Sequence, residues 1–86
     1  LERIGRMPRA FVLDFGAVPL VDATAAKGLE AFAHRLKTHG STLFIAAARL
    51  PVRRSLMKAG LREPHVRYVA TVDEARAEAA QPQPVG

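Results

Sequence analysis

The chain contains no cysteine and no tryptophan, and only five of its 86 residues are aromatic. The lack of cysteine excludes disulfides and thiolate metal sites, and it fits a reducing compartment. No apolar run approaches the roughly 20 residues that span a bilayer. The first ten residues carry several charges and do not form a signal-peptide pattern. We therefore expect one small soluble domain, taken from a larger protein.

Basic residues outnumber acidic ones, with 13 Lys and Arg against 8 Asp and Glu. Such an excess is compatible with nucleic-acid binding. However, all the aromatic residues except Tyr68 stand in apolar segments that a core would bury, so the sequence offers no platform for stacking bases. An anionic membrane surface or an acidic protein partner explains the same charge. We expect no specific nucleic-acid partner.

Apolar segments alternate with helical patterns along the chain. Residues 10–15, 42–47 and 67–71 predict strands, since each is short and rich in apolar residues. Helices are predicted over residues 23–38 and 72–80. In the first of them, apolar residues recur every three or four positions. Another helix is predicted to open at Pro51, a residue that fits the first helical position.

Helix ends carry their own signals. Gly40 and Gly60 fit the position after a helix, where φ is usually positive, and Leu61 can then fold back on Leu56. Thr71 and Glu74 have the spacing of a capping box. We therefore expect each helix to stop or start at these residues.

Strands that are separated by helical crossovers are expected to lie parallel. The predicted fold class is α/β, an open and mainly parallel sheet with packed helices. Three parallel strands alone make a poor sheet, because its edges must be covered. We expect residues 1–80 to form the domain, to pair with missing N-terminal strands or with a second copy, and to be followed by a flexible tail at 81–86.

The order of short motifs resembles the STAS domain, the module of sulfate transporters and anti-sigma-factor antagonists. The resemblance covers residues 8–80 and rests on the segments VLDF, VDATA, THG, TLFIAA, PVRRSLMKAGL, RYVAT and VDEARAEA. It implies that the chain is the later two-thirds of such a domain, with residues 1–6 as the end of a preceding helix. It also implies a STAS-like fold and a regulatory rather than a catalytic role.

Asp22 and Thr24 match the acid and the hydroxyl of the family's phospho-acceptor loop. In stand-alone antagonists that hydroxyl accepts a phosphoryl group from a partner kinase. Here Ala23 and Ala25 replace a Ser and a Gly of the antagonist pattern. The structural alternative is that Asp22 caps the helix and Thr24 forms a hydrogen bond in its first turn.

Asp14 is a second acid close to this loop, and we expect it to accept loop N–H groups. Asp14 and Asp22 come without a base, a nucleophile or a metal-binding set, so no enzyme is predicted. The histidines likewise lack metal-ligand spacing and are expected at the surface: His34, His39 and His65.

A basic group lies on or just before the second helix: Arg49, Arg53, Arg54 and Lys58. It is either a solvated helix face or a docking patch for phospholipid headgroups, an acidic partner or a nucleotide phosphate. Arg54 and Lys58 are four residues apart and share a face of the helix.

By resemblance, the best functional assignment is a non-catalytic regulatory domain of a SulP-type anion transporter, on the cytoplasmic side of the membrane. The expected partner is the membrane domain of the same chain, with a homodimer or an anionic lipid surface as further partners. No cofactor is expected, beyond weak nucleotide binding that the resemblance alone implies. The alternatives are an anti-sigma-factor antagonist that acts as a phospho-switch, and a small basic nucleic-acid-binding domain.

Overall fold

The computed structural model of the chain describes residues 10–80. The predictions made for residues 1–6 and for the tail at 81–86 lie outside this range. Within it, strands and helices alternate in the order β1, α1, β2, α2, β3, α3. Their bounds are β1 Ala10–Asp14, α1 Ala23–Thr38, β2 Thr42–Ala46, α2 Leu50–Lys58, β3 Val66–Val69 and α3 Val72–Ala80.

The three strands form one sheet in the order β1-β2-β3, and both neighbouring pairs are parallel. Ala10 of β1 lies opposite Thr42 of β2, and Leu43 of β2 lies opposite Val66 of β3. The parallel order follows from the helical crossovers between successive strands. The predicted α/β class, with parallel strands and packed helices, is therefore confirmed.

The strand ends differ from the sequence-based prediction by one or two residues. The second strand stops before Ala47, because this residue has a φ of 61° and leaves the extended region. β3 begins at Val66 and ends at Val69 instead of covering residues 67–71. It ends early because the next two residues take part in the start of α3.

The helix starts agree with the sequence, with two corrections. The helix α2 begins at Leu50, one residue before Pro51, and Arg49 is its N-cap without a side-chain bond. At α3 the Thr71 hydroxyl accepts from the N–H of Glu74 at 3.0 Å, as a capping box requires. However, the Glu74 carboxylate reaches the N–H of Ala70 at 2.7 Å and not that of Thr71.

Glycine ends two of the helices, as predicted. Gly40 has a φ of 77° and Gly60 a φ of 102°. At the end of α2, the N–H of Leu61 donates to Leu56 O and that of Gly60 donates to Met57 O, both at 3.0 Å. These are the two bonds of a Schellman motif. Leu56 and Leu61 are both fully buried.

Two apolar clusters lie on opposite faces of the sheet. The larger one is formed by alternate residues of the strands, such as Leu43 and Ile45, together with buried residues of α1 and α2. The smaller one is formed by the other set of alternate residues, such as Phe44 and Ala46, and by α3. Thus α1 and α2 form one outer layer and α3 forms the other.

An ion pair fastens α3 to the sheet. Arg67 of β3 donates from Nε and Nη2 to one carboxylate oxygen of Glu78, at 3.1 and 2.8 Å. The hydrogen bond and the charge of Glu78 raise the pKa of Arg67. The pair lies on the same side of the sheet as the smaller apolar cluster.

Candidate functional site

The loop after β1 is organised by the carboxylate of Asp14. Its Oδ1 accepts from the N–H of Gly16 at 2.9 Å, which is the loop bond expected for this acid. A Cβ on Gly16 would lie 3.1 Å from the same oxygen, a tight contact that glycine avoids. Phe15, between them, is buried and donates its N–H to Ala46 O at 2.9 Å. Asp14 therefore has a structural role in shaping the loop.

Asp22 begins α1. It has extended backbone angles, and its Oδ1 accepts from the N–H of Ala25 at 2.7 Å. This is the geometry of an N-cap residue, in which a side-chain oxygen satisfies one of the free N–H groups at the helix start. The carboxylate also lies at the positive end of the helix dipole.

Thr24 is exposed, and its hydroxyl forms no hydrogen bond with any of residues 10–80. The expected bond in the first turn of α1 is therefore wrong. Asp22 already accepts from the N–H of Ala25, and the hydroxyl of Thr24 is left facing solvent. Thr24 contributes neither to the cap nor to the core.

A groove of about 300 Å³ runs between the N-terminal half of α1 and the C-terminal half of α2. Its apolar lining comes from Val21, Ala23, Ala26 and Ala59. Its polar lining comes from Asp22, Lys27, Ser55 and Lys58. Thr24 is not among the lining residues, so the position next to the cap that faces the groove is Ala23. Neither Lys27 nor Lys58 has an ion-pair partner within residues 10–80.

The four residues of the predicted basic patch have different surroundings. Lys58 lines the groove, as Asp22 does. Arg49 and Arg54 are exposed. Arg53 lies over the ring of Tyr68, with its guanidinium carbon 4.6 Å from the ring centroid. Arg53 is thus held by a cation–π contact on the β3 side of α2, away from the groove.

Tyr68 is the residue of this region that sequence reasoning did not single out as a site. Its hydroxyl donates to Leu61 O at 2.6 Å, and its ring supports Arg53. Burial raises the pKa of Tyr68, and the charge of Arg53 opposes this in part. Its position as the sole aromatic residue outside the predicted apolar core was a signal that could have found it.

The histidines do not form a metal site. His34 and His65 are exposed and line a small cavity with Glu30 between α1 and the loop before β3. No group of three or more His, Asp or Glu side chains among residues 10–80 could hold a metal ion. His39 is occupied differently, since its Nδ1 lies 2.9 Å from Arg35 O at the end of α1.

The polar groups of the groove come from two helices. Its hydroxyl, Ser55, and its carboxylate, Asp22, belong to different helices, and the carboxylate is engaged in capping. Among residues 10–80 there is no helix of the length and apolar character that a membrane span needs. Fold and groove together define a small α/β domain with a surface groove between two helices.

The chain belongs to the STAS domain family, because the family model matches residues 1–75, most of the chain. A comparison with curated proteins gave no significant match. STAS domains are generally non-catalytic and regulatory, which agrees with the composition of the groove.

Proposed function

We propose that this STAS domain is the regulatory domain of a SulP-type anion transporter and acts through contacts with the membrane domain of its own chain. It takes no part in the chemistry of transport. Its role is to receive signals and to transmit them to the folding, assembly or gating of the membrane domain.

One observation carries this proposal: the groove presents the methyl group of Ala23 and not the hydroxyl of Thr24. A partner kinase that docked along the groove would meet no acceptor hydroxyl from the first turn of α1. The charge of the groove-forming layer adds support, since residues 21–62 carry eight Lys and Arg against two Asp and Glu. Such a surface suits an anionic environment.

The second candidate is a phospho-switch of the anti-sigma-factor antagonist type. It is favoured by the hydroxyl of Thr24, which is exposed and unbonded among residues 10–80. A phosphate there would lie near the free N–H groups at the start of α1, where negative charge is stabilised.

Two variants of the α1 start separate these candidates. We expect Thr24→Ala to leave stability unchanged or slightly raised, because no bond is lost and Ala is the better helix former. Asp22→Ala should cost about 1 kcal/mol, because it removes the N-cap bond. Urea unfolding measures both. Under the transporter proposal, anion uptake by cells that express the full-length parent survives Thr24→Ala, and mass spectrometry of the cell-derived protein finds Thr24 unmodified.

The parent's reading frame provides the independent test. Ten or more apolar helices upstream of this domain would support the transporter proposal. A lone reading frame of roughly a hundred residues, close to the size of one small domain, would contradict it and favour the phospho-switch. Phosphothreonine at position 24 would favour the phospho-switch as well.

A further inference from the structure

Charge is divided between the two helical layers of the domain. The chain from 21 to 62, which includes α1 and α2, has eight basic and two acidic residues. The chain from 63 to 80, which includes β3 and α3, has two basic and four acidic residues. Since α1 and α2 cover one face of the sheet and α3 covers the other, the domain is electrically polar across the sheet. An anionic surface would orient it with α1 and α2 inward.

Two large apolar side chains are exposed among residues 10–80, namely Leu20 at 78% and Leu50 at 59%. Leu20 precedes the N-cap of α1, and Leu50 is the first residue of α2. The groove sets residues 21–27 of α1 beside residues 55–59 of α2. β1 and β2 are parallel, and α1 and α2 each begin after the carboxyl end of one of these strands. Both helices therefore start at the same edge of the sheet and return in the same direction, so both leucines lie at the same end of the pair.

The same end carries Arg49, Arg53 and Arg54, which are all exposed. Arg49 and Arg54 have no ion-pair partner within residues 10–80. Exposed leucines that are flanked by arginines form the combination that binds at a bilayer interface, with apolar groups below the headgroups and cations among them.

We propose that the face at which α1 and α2 both begin binds an anionic lipid bilayer, with Leu20 and Leu50 inserted and the arginines at the phosphate level. This deepens the proposed function and rests on it, because a transporter would hold the domain beside such a surface. An acidic protein is the competing occupant. We favour the bilayer because it accepts two exposed leucines without a matching pocket, whereas an acidic protein surface would need one.

The test uses the 86-residue chain and vesicles of phosphatidylcholine with and without phosphatidylglycerol. We expect binding only to vesicles that contain phosphatidylglycerol, and weaker binding as salt rises. Each unit of charge near an anionic surface changes the affinity roughly fivefold. Because Arg54→Glu removes one positive charge and adds one negative charge, it should weaken binding about 25-fold. The matched control is Arg76→Glu, the same change at an exposed position on α3. It should leave binding within about twofold.

The leucines are tested by Leu20→Asn with Leu50→Asn, and separately by Leu20→Phe. The double variant should lose about tenfold in vesicle affinity, and the Phe variant should gain, since interfacial binding follows buried apolar area. Both positions are exposed, so thermal melting should show that the variants are folded. If the double variant is unstable, Leu20→Asn alone is used to test the loss of vesicle affinity. Soluble polyglutamate is the probe for the competing occupant, an acidic protein surface.

Equal binding to vesicles with and without phosphatidylglycerol, or equal losses for Arg54→Glu and Arg76→Glu, would overturn the proposal. The proposal would also be overturned if the leucine variants bound vesicles like the wild type and polyglutamate bound as tightly as the vesicles. That result would assign the face to an acidic protein. The assay contains no membrane domain, so a negative result leaves the transporter proposal standing. Conversely, a lone reading frame would contradict the transporter proposal without changing the vesicle result.

Discussion

The two outer edges of the sheet, β3 and β1, differ in the hydrogen-bond partners of their outward N–H groups. Along β3, the outward N–H groups have partners: Val66 N donates to Arg62 O, Tyr68 N to Glu63 Oε2, and Ala70 N to Glu74 Oε1. Along β1, the residues that alternate with Phe15 point their N–H groups outward, since Phe15 donates to β2. Residues 10–80 supply no comparable cover there. Within residues 10–80, one edge is closed by a backbone carbonyl and two carboxylates, and the other keeps outward N–H groups with which a further strand could pair.

The largest expected effect concerns the open edge. At high concentration the chain should associate through β1, and Val12→Pro should return it to a monomer. Proline removes an outward N–H at Val12, which the β1–β2 ladder does not use. Leu13→Pro is the control, because the N–H of Leu13 faces β2, and this variant should unfold. Analytical ultracentrifugation and circular dichroism measure the two results.

A monomer at all concentrations would contradict this prediction and would mean that the β1 edge is covered. A strand supplied upstream of residue 10 would pair with β1 and cover this edge. Adding it should raise the melting temperature by several degrees, given that 1 kcal/mol shifts a domain of this size by about 4–8 °C.

A smaller effect is expected when the closed edge is opened. Glu63→Ala removes the acceptor of the Tyr68 N–H and the ion pair with Arg67 at 3.6 Å. We expect a loss of about 1 kcal/mol in the free energy of unfolding, together with new self-association through β3. Glu63→Gln is the matched control, since its side-chain oxygen can still accept the bond. If both variants behave alike, charge and not edge capping is what matters at this position.

The smallest effect is a pH dependence that arises beside the closed edge. Burial raises the pKa of Tyr68 above its value in the unfolded chain. The contribution of Tyr68 is therefore complete below the unfolded pKa of about 10, and it is lost as pH rises through the folded value. Unfolding free energies should fall above pH 10, and less so in Tyr68→Phe. Because the chain has one tyrosine and no tryptophan, tyrosinate absorbance follows Tyr68 directly, and an unshifted titration would refute the effect.

The helices were predictable because their ends are encoded locally. Asp22, Gly40 and Thr71 each act within a few residues of the helix they bound, so α1 and α3 have the predicted limits. The strand ends depend on distant partners. Ala47 donates to Val69 O across the sheet while it holds a positive φ, and no pattern in TLFIAA indicates this.

The site was predictable only in part, for a similar reason. Asp22 and Lys58 were each identified, but their shared groove depends on how α1 packs against α2, and Lys27 and Ser55 enter it through that packing. The stacking of Arg53 on Tyr68 joins residues from α2 and β3. The first-turn hydrogen bond suggested for Thr24 was wrong, because helix propensity and cap position do not fix where a hydroxyl points.

The position of α3 has a consequence for synthesis of the protein on the ribosome. The second apolar cluster unites residues from the start and the end of the chain, with Val12 on one side and Ala75 and Ala79 on the other. While the nascent chain emerges, β1 and β2 can pair and pack under α1, but their opposite face lacks the cover that α3 provides until α3 has left the exit tunnel. During that interval Phe44 and its neighbours lack their contacts with α3, and a stop codon before residue 72 would make this loss permanent.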